Sequence, residues 1–357
     1  MIIAKNKDLT VAKDSKNESE FSSIDSSTVF QSALNASSSI FISNGNYHLS
    51  KPIFVPNKNN MTIQGESQKG VILDGSLVGA SALERRKYRQ DGVLTRSSED
   101  TNFGSALPIQ ELTIRNLTIL GNQTDKGYRT DDISVAGLRI DNVTDLLIEN
   151  ITTDHVGVSI GLVNAKRATI RNCASYNDGA GPTLGRNNGD ILVEDCYTYA
   201  SLDDSFAMLG SGNSKDIVFI NCTADKAGSG FNDVGASCFK LDSGNTGGIN
   251  GVLYIGCRAL NAKPGNLQIQ GGFINGDGSV SNIQYLGCSA INCHVGFKVA
   301  GPGHYLHACT AKNCDIGLVT DHNTPKAQFV NVSMIWNKQN TWFFTPPMRY
   351  ETAFSRQ

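Results

Sequence analysis

Two adjacent acids, Asp203 and Asp204, lie about one repeat length beyond a third, Asp178, and these are the residues in the chain best suited to acid and base chemistry. Carboxyls held close together push one another's proton affinities apart, so one can stay protonated and donate while another is ionised and accepts. All three belong to a recurring turn motif, Asp154-His155-Val-Gly, Asn177-Asp178-Gly, Asp203-Asp204-Ser-Phe, Asn232-Asp233-Val-Gly, Cys293-His294-Val-Gly and Cys314-Asp315-Ile-Gly, each leading into a short strand. If phase is kept, these side chains form a vertical column along one sheet edge at about 4.8 Å per coil, able to offer a bound polymer a general acid and a general base. His155 would add an imidazole to the set, and Lys240 and Lys298 project from strands of the same sheet, where a lysine base would suit elimination instead. An Asp or Asn before Gly is also an ordinary turn former, because its side chain accepts from nearby backbone N–H groups. The persistence of the motif at His294 and Asp315 fits that plainer use.

What must position these residues is a repeat. An isoleucine-rich strand closed by Asn, Asp, Gly or, once, Ala, and usually followed by Cys, ends at Asn116, Asn150, Asn172, Asp195, Asn221, Gly256, Gly287, Ala308 and Asn331, with a basic period of about 22 residues lengthened wherever a loop is inserted. A period of this length with strand-like alternation predicts an all-β solenoid of parallel coils. Five of the nine cysteines, Cys173, Cys196, Cys222, Cys257 and Cys288, share one phase of the repeat, which predicts an inward ladder of free thiols and assembly in a reducing compartment. Asn116, Asn150, Asn172, Asn221 and Asn331 share the phase beside the cysteines, one residue before it, and are expected to stack as a second inward ladder, which discounts the glycosylation sequons at Asn150 and Asn221.

Composition agrees. The 36 glycines, the Asn-rich turns and only 18% charged residues suit many short strands and tight turns. A net charge of −2 gives no basic footprint for nucleic acid, and no apolar run approaches the ~18 residues of a membrane span. The repeat runs without a linker, which predicts one β-helix domain over residues 26–335, a loose Lys-, Ser- and Asp-rich arm over 1–25, and an aromatic, proline-containing cap or subunit contact over 336–357. Thr28-Val-Phe-Gln31 reads as a capping box opening a short helix over the first open coil. The start of the chain has no signal-peptide apolar core.

The opening, Phe30-Gln-Ser-Ala-Leu-Asn, then Ile40-Phe-Ile-Ser-Asn-Gly-Asn-Tyr, Ile63-Gln-Gly-Glu and Ile72-Leu-Asp-Gly, resembles the pectate-lyase-like right-handed parallel β-helix superfamily, which includes polygalacturonases, polysaccharide lyases and bacteriophage tailspike depolymerases. The resemblance covers about residues 26–335 and implies a polysaccharide partner laid along the flank of the solenoid. Asp203-Asp204 one coil after Asp178 is similar to the polygalacturonase arrangement, which implies Asp203 as general acid, with Asp178 and Asp204 holding and activating water. Inversion would place acid and base about 6.5–9.5 Å apart. The chain departs from that pattern: Asn177 and Asp178 are adjacent, no His occurs in Gly230 to Gly235, and Cys238-Phe239-Lys240 keeps only the lysine of the family's Arg-Ile-Lys strand, so His155 is the candidate replacement imidazole. The expected function is a glycoside hydrolase; the alternatives are a polysaccharide lyase or epimerase, with Lys240 and His155 in the leading roles, and a non-catalytic adhesin or virion receptor-binding module.

Insertions supply the expected binding surface: Arg85, Arg86 and Arg89 in a basic segment, Tyr128, and Phe231 with Asp233. No cofactor is expected. An Asp column would suit Ca2+, but no calcium-loop pattern is present and no metal ligands are assigned. A tailspike-like setting implies a monomer or homotrimer, extracellular or virion-associated, without an evident signal peptide.

Overall fold

The computed structural model describes residues 1–14, 19–78, 92–96, 107–123, 135–209, 212–228, 236–242, 247–262, 270–275, 279–320 and 327–343. The chain folds as two compact units, Met1–Gly179 and Ala180–Gln357. In each, the coils stack as parallel strands in register, giving the right-handed parallel β-helix.

In the first unit the helix Ser26–Ala36 buries Val29, Phe30, Ala33 and Leu34. Its N-cap is Asp25, whose carboxylate accepts from the Ser27 N–H, so the cap falls three residues earlier than the sequence pattern suggests. The expected loose arm is in fact strands: Ile2–Asn6, Leu9–Lys13 and Ser19–Ser23 pair antiparallel, and the first of them continues in parallel onto Ser39–Ile42. Burial of apolar residues explains it, since Ile3, Val11 and Ala12 are all covered. Beyond them the long strands Ile109–Leu120 and Val143–Asp154 pair with Ile114 against Ile148 and Leu117 against Ile151. A second sheet of this unit holds Ile53–Phe54, Gly92–Arg96, Ala136–Asp141 and Ile160–Val163.

In the second unit each coil contributes a strand such as Ser214–Ile220, a three-residue strand such as Thr223–Asp225, and a strand of the other sheet such as Phe239–Asp242. Equal phase puts identical side chains on top of one another. Phe206, Phe239, Phe273 and Phe297 stack with successive centroids 5.0, 4.6 and 5.0 Å apart, and Phe219, Tyr254 and Tyr285 with 4.9 and 5.1 Å. The repeat continues one strand past residue 335, where Gln339–Phe343 pairs onto Ile316–Thr320 and completes the coil begun by Gln328–Val330.

All nine cysteines are free and buried. Their thiols donate to backbone carbonyls of neighbouring coils, as Cys257 does to Phe219 O at 3.5 Å and Cys309 to Tyr285 O at 3.3 Å. The asparagine ladder lies elsewhere than expected. Asn116, Asn150, Asn172, Asn221 and Asn331 all have φ between 52° and 60°, with side chains half-buried or exposed at the turn, not inside the core. The left-handed backbone explains their choice, because Asn tolerates this conformation better than other side chains do. The amides still link coils: Asn150 Nδ2 donates to Asn116 Oδ1 at 3.0 Å. Asn172→Gly should therefore be close to neutral, whereas Asn172→Val should lower stability by about 1–2 kcal/mol in chemical denaturation.

Candidate active site

The residues singled out from the sequence separate into two settings, one in each unit. The turn motif is not one column. In the first unit Asp154 pairs in register with Tyr176, so His155 stands beside Asn177, and the inward position taken by Val156 in one coil is taken by Asp178 in the next. The expected single phase fails because successive coils reach the turn with different residues at the left-handed corner: His155 at φ 55° and Asn177 at φ 52°.

Asp178 is consequently fully buried. Its Oδ2 accepts from Thr153 Oγ1 at 2.6 Å and Ser175 Oγ at 2.7 Å, and its Oδ1 from the Val156 N–H at 2.8 Å. Thr153 Oγ1 is also 2.7 Å from Ser159 Oγ. Burial pushes the carboxyl up to about 7 despite these three donors, with Asp154 adding to the rise. His155 is half exposed and points away from this pocket, with Nδ1 2.7 Å from Asp154 Oδ1, while Asn177 Nδ2 donates to the same oxygen at 3.1 Å.

In the second unit the structure brings Asp203, Asp204 and Lys240 together. The backbone of this turn packs directly on the preceding coil: a Cβ on Gly181 would lie 2.0 Å from Ser205 O, so no side chain fits there. On its other side Ser205 N donates to Ser237 O and Phe206 N to Cys238 O, which carries the parallel ladder into the strands Phe206–Leu209 and Phe239–Asp242. Ala207 pairs with Lys240 in register, so the lysine leaves the sheet next to the acidic turn. Lys240 Nζ is 3.2 Å from Asp204 Oδ2, and the Ser237 N–H donates to Asp204 Oδ1 at 2.8 Å.

The electrostatics follow from burial. Asp204 is 2% exposed. Burial and then the neighbouring Asp203 push its carboxyl up to about 6, against the pull of Lys240 and the Ser237 N–H. Burial alone would lower the Lys240 ammonium, but Asp204 and Asp203 outweigh it and hold it above its ordinary value, with Asp242 adding to the effect. Asp203 is half-buried and is the member of the pair with the greater solvent contact. The arrangement is two carboxyls of unequal exposure sharing one cation, able to hold a proton near neutrality and to release it to a bound ligand.

Sequence reading did not single out Asp242 or the Ser237 amide. The period-two pattern of Phe239-Lys-Leu-Asp242 places Lys240 and Asp242 on one face of the strand and could have identified the former, whereas a backbone donor 33 residues from its acceptor leaves no sequence mark. Lys298 lies in the same register row, opposite Ile274. Arg85, Arg86, Arg89, Tyr128, Phe231 and Asp233 lie outside the described residues. Among the described residues no group of three or more His, Cys, Asp or Glu could hold a metal ion, and no helix is long and apolar enough to cross a membrane.

No family model matches the sequence, and no curated protein matches it. Solved structures share the fold. The chain is similar to ORF18 of Geobacillus virus E2, at 14% identity and a TM-score of 0.54, covering 92% of this chain and 57% of that one. It is similar to the A-module of the mannuronan C-5 epimerase AlgE4 of Azotobacter vinelandii, at 15% identity and a TM-score of 0.55, covering 92% and 95%. It is also similar to the catalytic domain of a GH87 α-1,3-glucanase in complex with nigerose, at 14% identity and a TM-score of 0.51, covering 91% and 65%. The chain thus spans less than two thirds of the phage protein and of the glucanase domain. At these identities the likeness establishes the β-helix fold.

Proposed function

We propose that the chain is a polysaccharide-cleaving β-helix, a glycoside hydrolase that uses Asp203 and Asp204 as its acid and base pair, with Lys240 as their counter-ion. The observation that carries this reading is the carboxyl of Asp204, pushed up to about 6 by burial and by Asp203 while bonded to Lys240. Asp178 rises as far, chiefly from burial, so what sets Asp204 apart is its contact with Lys240 and the more exposed Asp203 beside it. Glycosidic cleavage needs one carboxyl to protonate the leaving oxygen and one to act ionised, and two carboxyls in unequal surroundings supply both. Asp203, the more exposed member, meets the glycosidic oxygen, and Asp204 shares the proton with it.

Asp178 supports the first unit's turn from within, consistent with its three donors and lack of solvent contact. The glucanase lends support of a limited kind. Its structures include aspartate-to-alanine variants at two consecutive positions, in complexes with nigerose or tetrasaccharides, and this chain likewise carries two consecutive aspartates, Asp203 and Asp204.

The second reading is elimination or epimerisation at a uronate, favoured by the position of Lys240 beside the acidic pair and by the likeness to an epimerase module. The two are separated by incubating the protein with pectic, alginate-like and capsular polysaccharides while following reducing ends and absorbance near 232 nm together. Reducing ends without absorbance are expected. Absorbance rising in step with them would move the reaction to elimination, and binding without either signal would make the chain an adhesin.

A further inference from the structure

One cluster beside the acidic turn, two half-buried tyrosines and an exposed lysine, plays no part in the chemistry above. Tyr197 and Tyr199 occupy alternate positions of the strand Tyr197–Tyr199 and project outward with their rings 6.5 Å apart and inclined by 21°. Lys226, exposed at the corner of the following coil, places Nζ 4.7 Å from the centre of the Tyr199 ring and 2.6 Å from its hydroxyl oxygen. This corner is left-handed, φ 60° at Lys226, a conformation that later coils of the unit fill with Asn261, Asn292 and Asn313. Ala200 and Trp336 occupy it in two further coils, and Lys226 is the cationic residue among these corners. The corner is also tied to the acidic turn, because Gly228 N donates to Ser201 O at 2.9 Å and reaches Asp203 O at 3.4 Å.

The direction of the hydrogen bond between Lys226 and Tyr199 decides what this cluster can hold. An ammonium only donates, so the Tyr199 oxygen accepts, and its own O–H is directed to another acceptor. Lys226 keeps two further N–H groups. Donors carrying one positive charge therefore converge beside two aromatic rings, a combination that suits an anionic oxygen group on a sugar whose ring lies against a tyrosine face. The bond to Tyr199 and, to a lesser degree, the charge of the neighbouring Asp225 hold the Lys226 ammonium above its ordinary value, so Asp225 offsets part of its positive charge, while the Asp225 Oδ1 accepts from Asn261 Nδ2 at 2.7 Å.

Building on the reading of Asp203 and Asp204 given above, we infer that Tyr199 and Lys226 form a subsite that holds an anionic group of the polymer, a uronate carboxylate or a sulfate ester, next to the cleavage turn. Tyr199 and Lys226 are thus specificity-determining residues and take no part in proton transfer.

The test is titration calorimetry on the intact chain, with and without Asp203→Asn to stop turnover, using a uronate oligosaccharide, a sulfated oligosaccharide and a neutral oligosaccharide of the same length. At least one anionic oligosaccharide is expected to bind about tenfold more tightly than the neutral one, with the preference fading as salt rises. Lys226→Met should abolish the preference, Lys226→Arg should keep most of it, and Tyr199→Phe should weaken it severalfold. The identity of the tighter ligand distinguishes carboxylate from sulfate. Equal affinities, a preference unchanged in Lys226→Met, or no binding of any of the three would overturn the subsite. Failure of the catalytic reading looks different: the anionic preference would respond to Lys226→Met as expected, yet the Asp203→Asn, Asp204→Asn chain would still cleave like the parent.

Discussion

A chain carrying Asp203→Asn and Asp204→Asn together is expected to lose polysaccharide cleavage by at least about 10³-fold while keeping the circular dichroism of the parent. The amides preserve shape and can still accept the Ser237 N–H, so the turn remains, but neither can exchange a proton. The pH dependence of the parent gives a sharper version of the same expectation. With Asp204 pushed up to about 6, the pair holds a proton below that pH and none well above it, so hydrolysis should fall as pH rises through about 6. Lys240→Met removes the cation that draws the Asp204 carboxyl down, and the falling limb should move to higher pH with hydrolysis surviving. An elimination that uses Lys240 as its base would instead be lost outright in that variant. A double Asn variant that cleaves at the parent's rate would end the case for this turn as the catalytic centre.

The second large effect concerns stability in the first unit. Asp178 holds its proton more tightly folded than unfolded, since burial pushes it from 3.8 up to about 7. A raised folded value for an acid means that its contribution is most favourable below about pH 4, declines as pH rises, and levels off above about pH 7. The difference between the two ends is on the order of 4 kcal/mol. Asp154 is the charged neighbour that adds to the rise, while the Thr153 and Ser175 hydroxyls and the Val156 N–H oppose it. Asp178→Asn removes the titration and keeps the shape: its oxygen can accept from Val156 N, and its NH2 can donate to hydroxyls free to rotate. The variant should match the parent below about pH 4 and melt several degrees higher near pH 8. Taking the difference between the two melting curves from pH 4 to pH 9 cancels the other titrating groups, and a difference that stays flat with pH would show that Asp178 is ionised in the folded chain throughout.

Most of the fold could be read from the sequence because a solenoid is close to one-dimensional. Each residue meets partners about one period away, so the repeat ending at Asn172, Asp195 and Asn221 is already a statement about contacts, and the cysteines that follow it, Cys173, Cys196 and Cys222, had to share an environment. The strands after the turn motif, including Phe206–Leu209 and Phe239–Asp242, were legible for the same reason. So was the closeness of Asp203 and Asp204, which is covalent.

Only the tertiary structure decided which way each corner residue faces and what it meets. Periodicity gives a residue's phase but not the sign of its φ, and the left-handed corner turned the asparagines outward where stacking alone suggested they point in. A change of one position at the turn put Asp178 inside, in the place of Val156, while His155 stayed outside. Loop length did the rest: 33 residues separate Asp204 from the Ser237 amide that binds it, and such an insertion shifts which coil positions become neighbours without altering the local pattern on either side. The burial that raises Asp204, its pairing with Lys240, and the meeting of Lys226 with Tyr199 are contacts between coils whose spacing was set by inserted loops, and stacking alone brings them together.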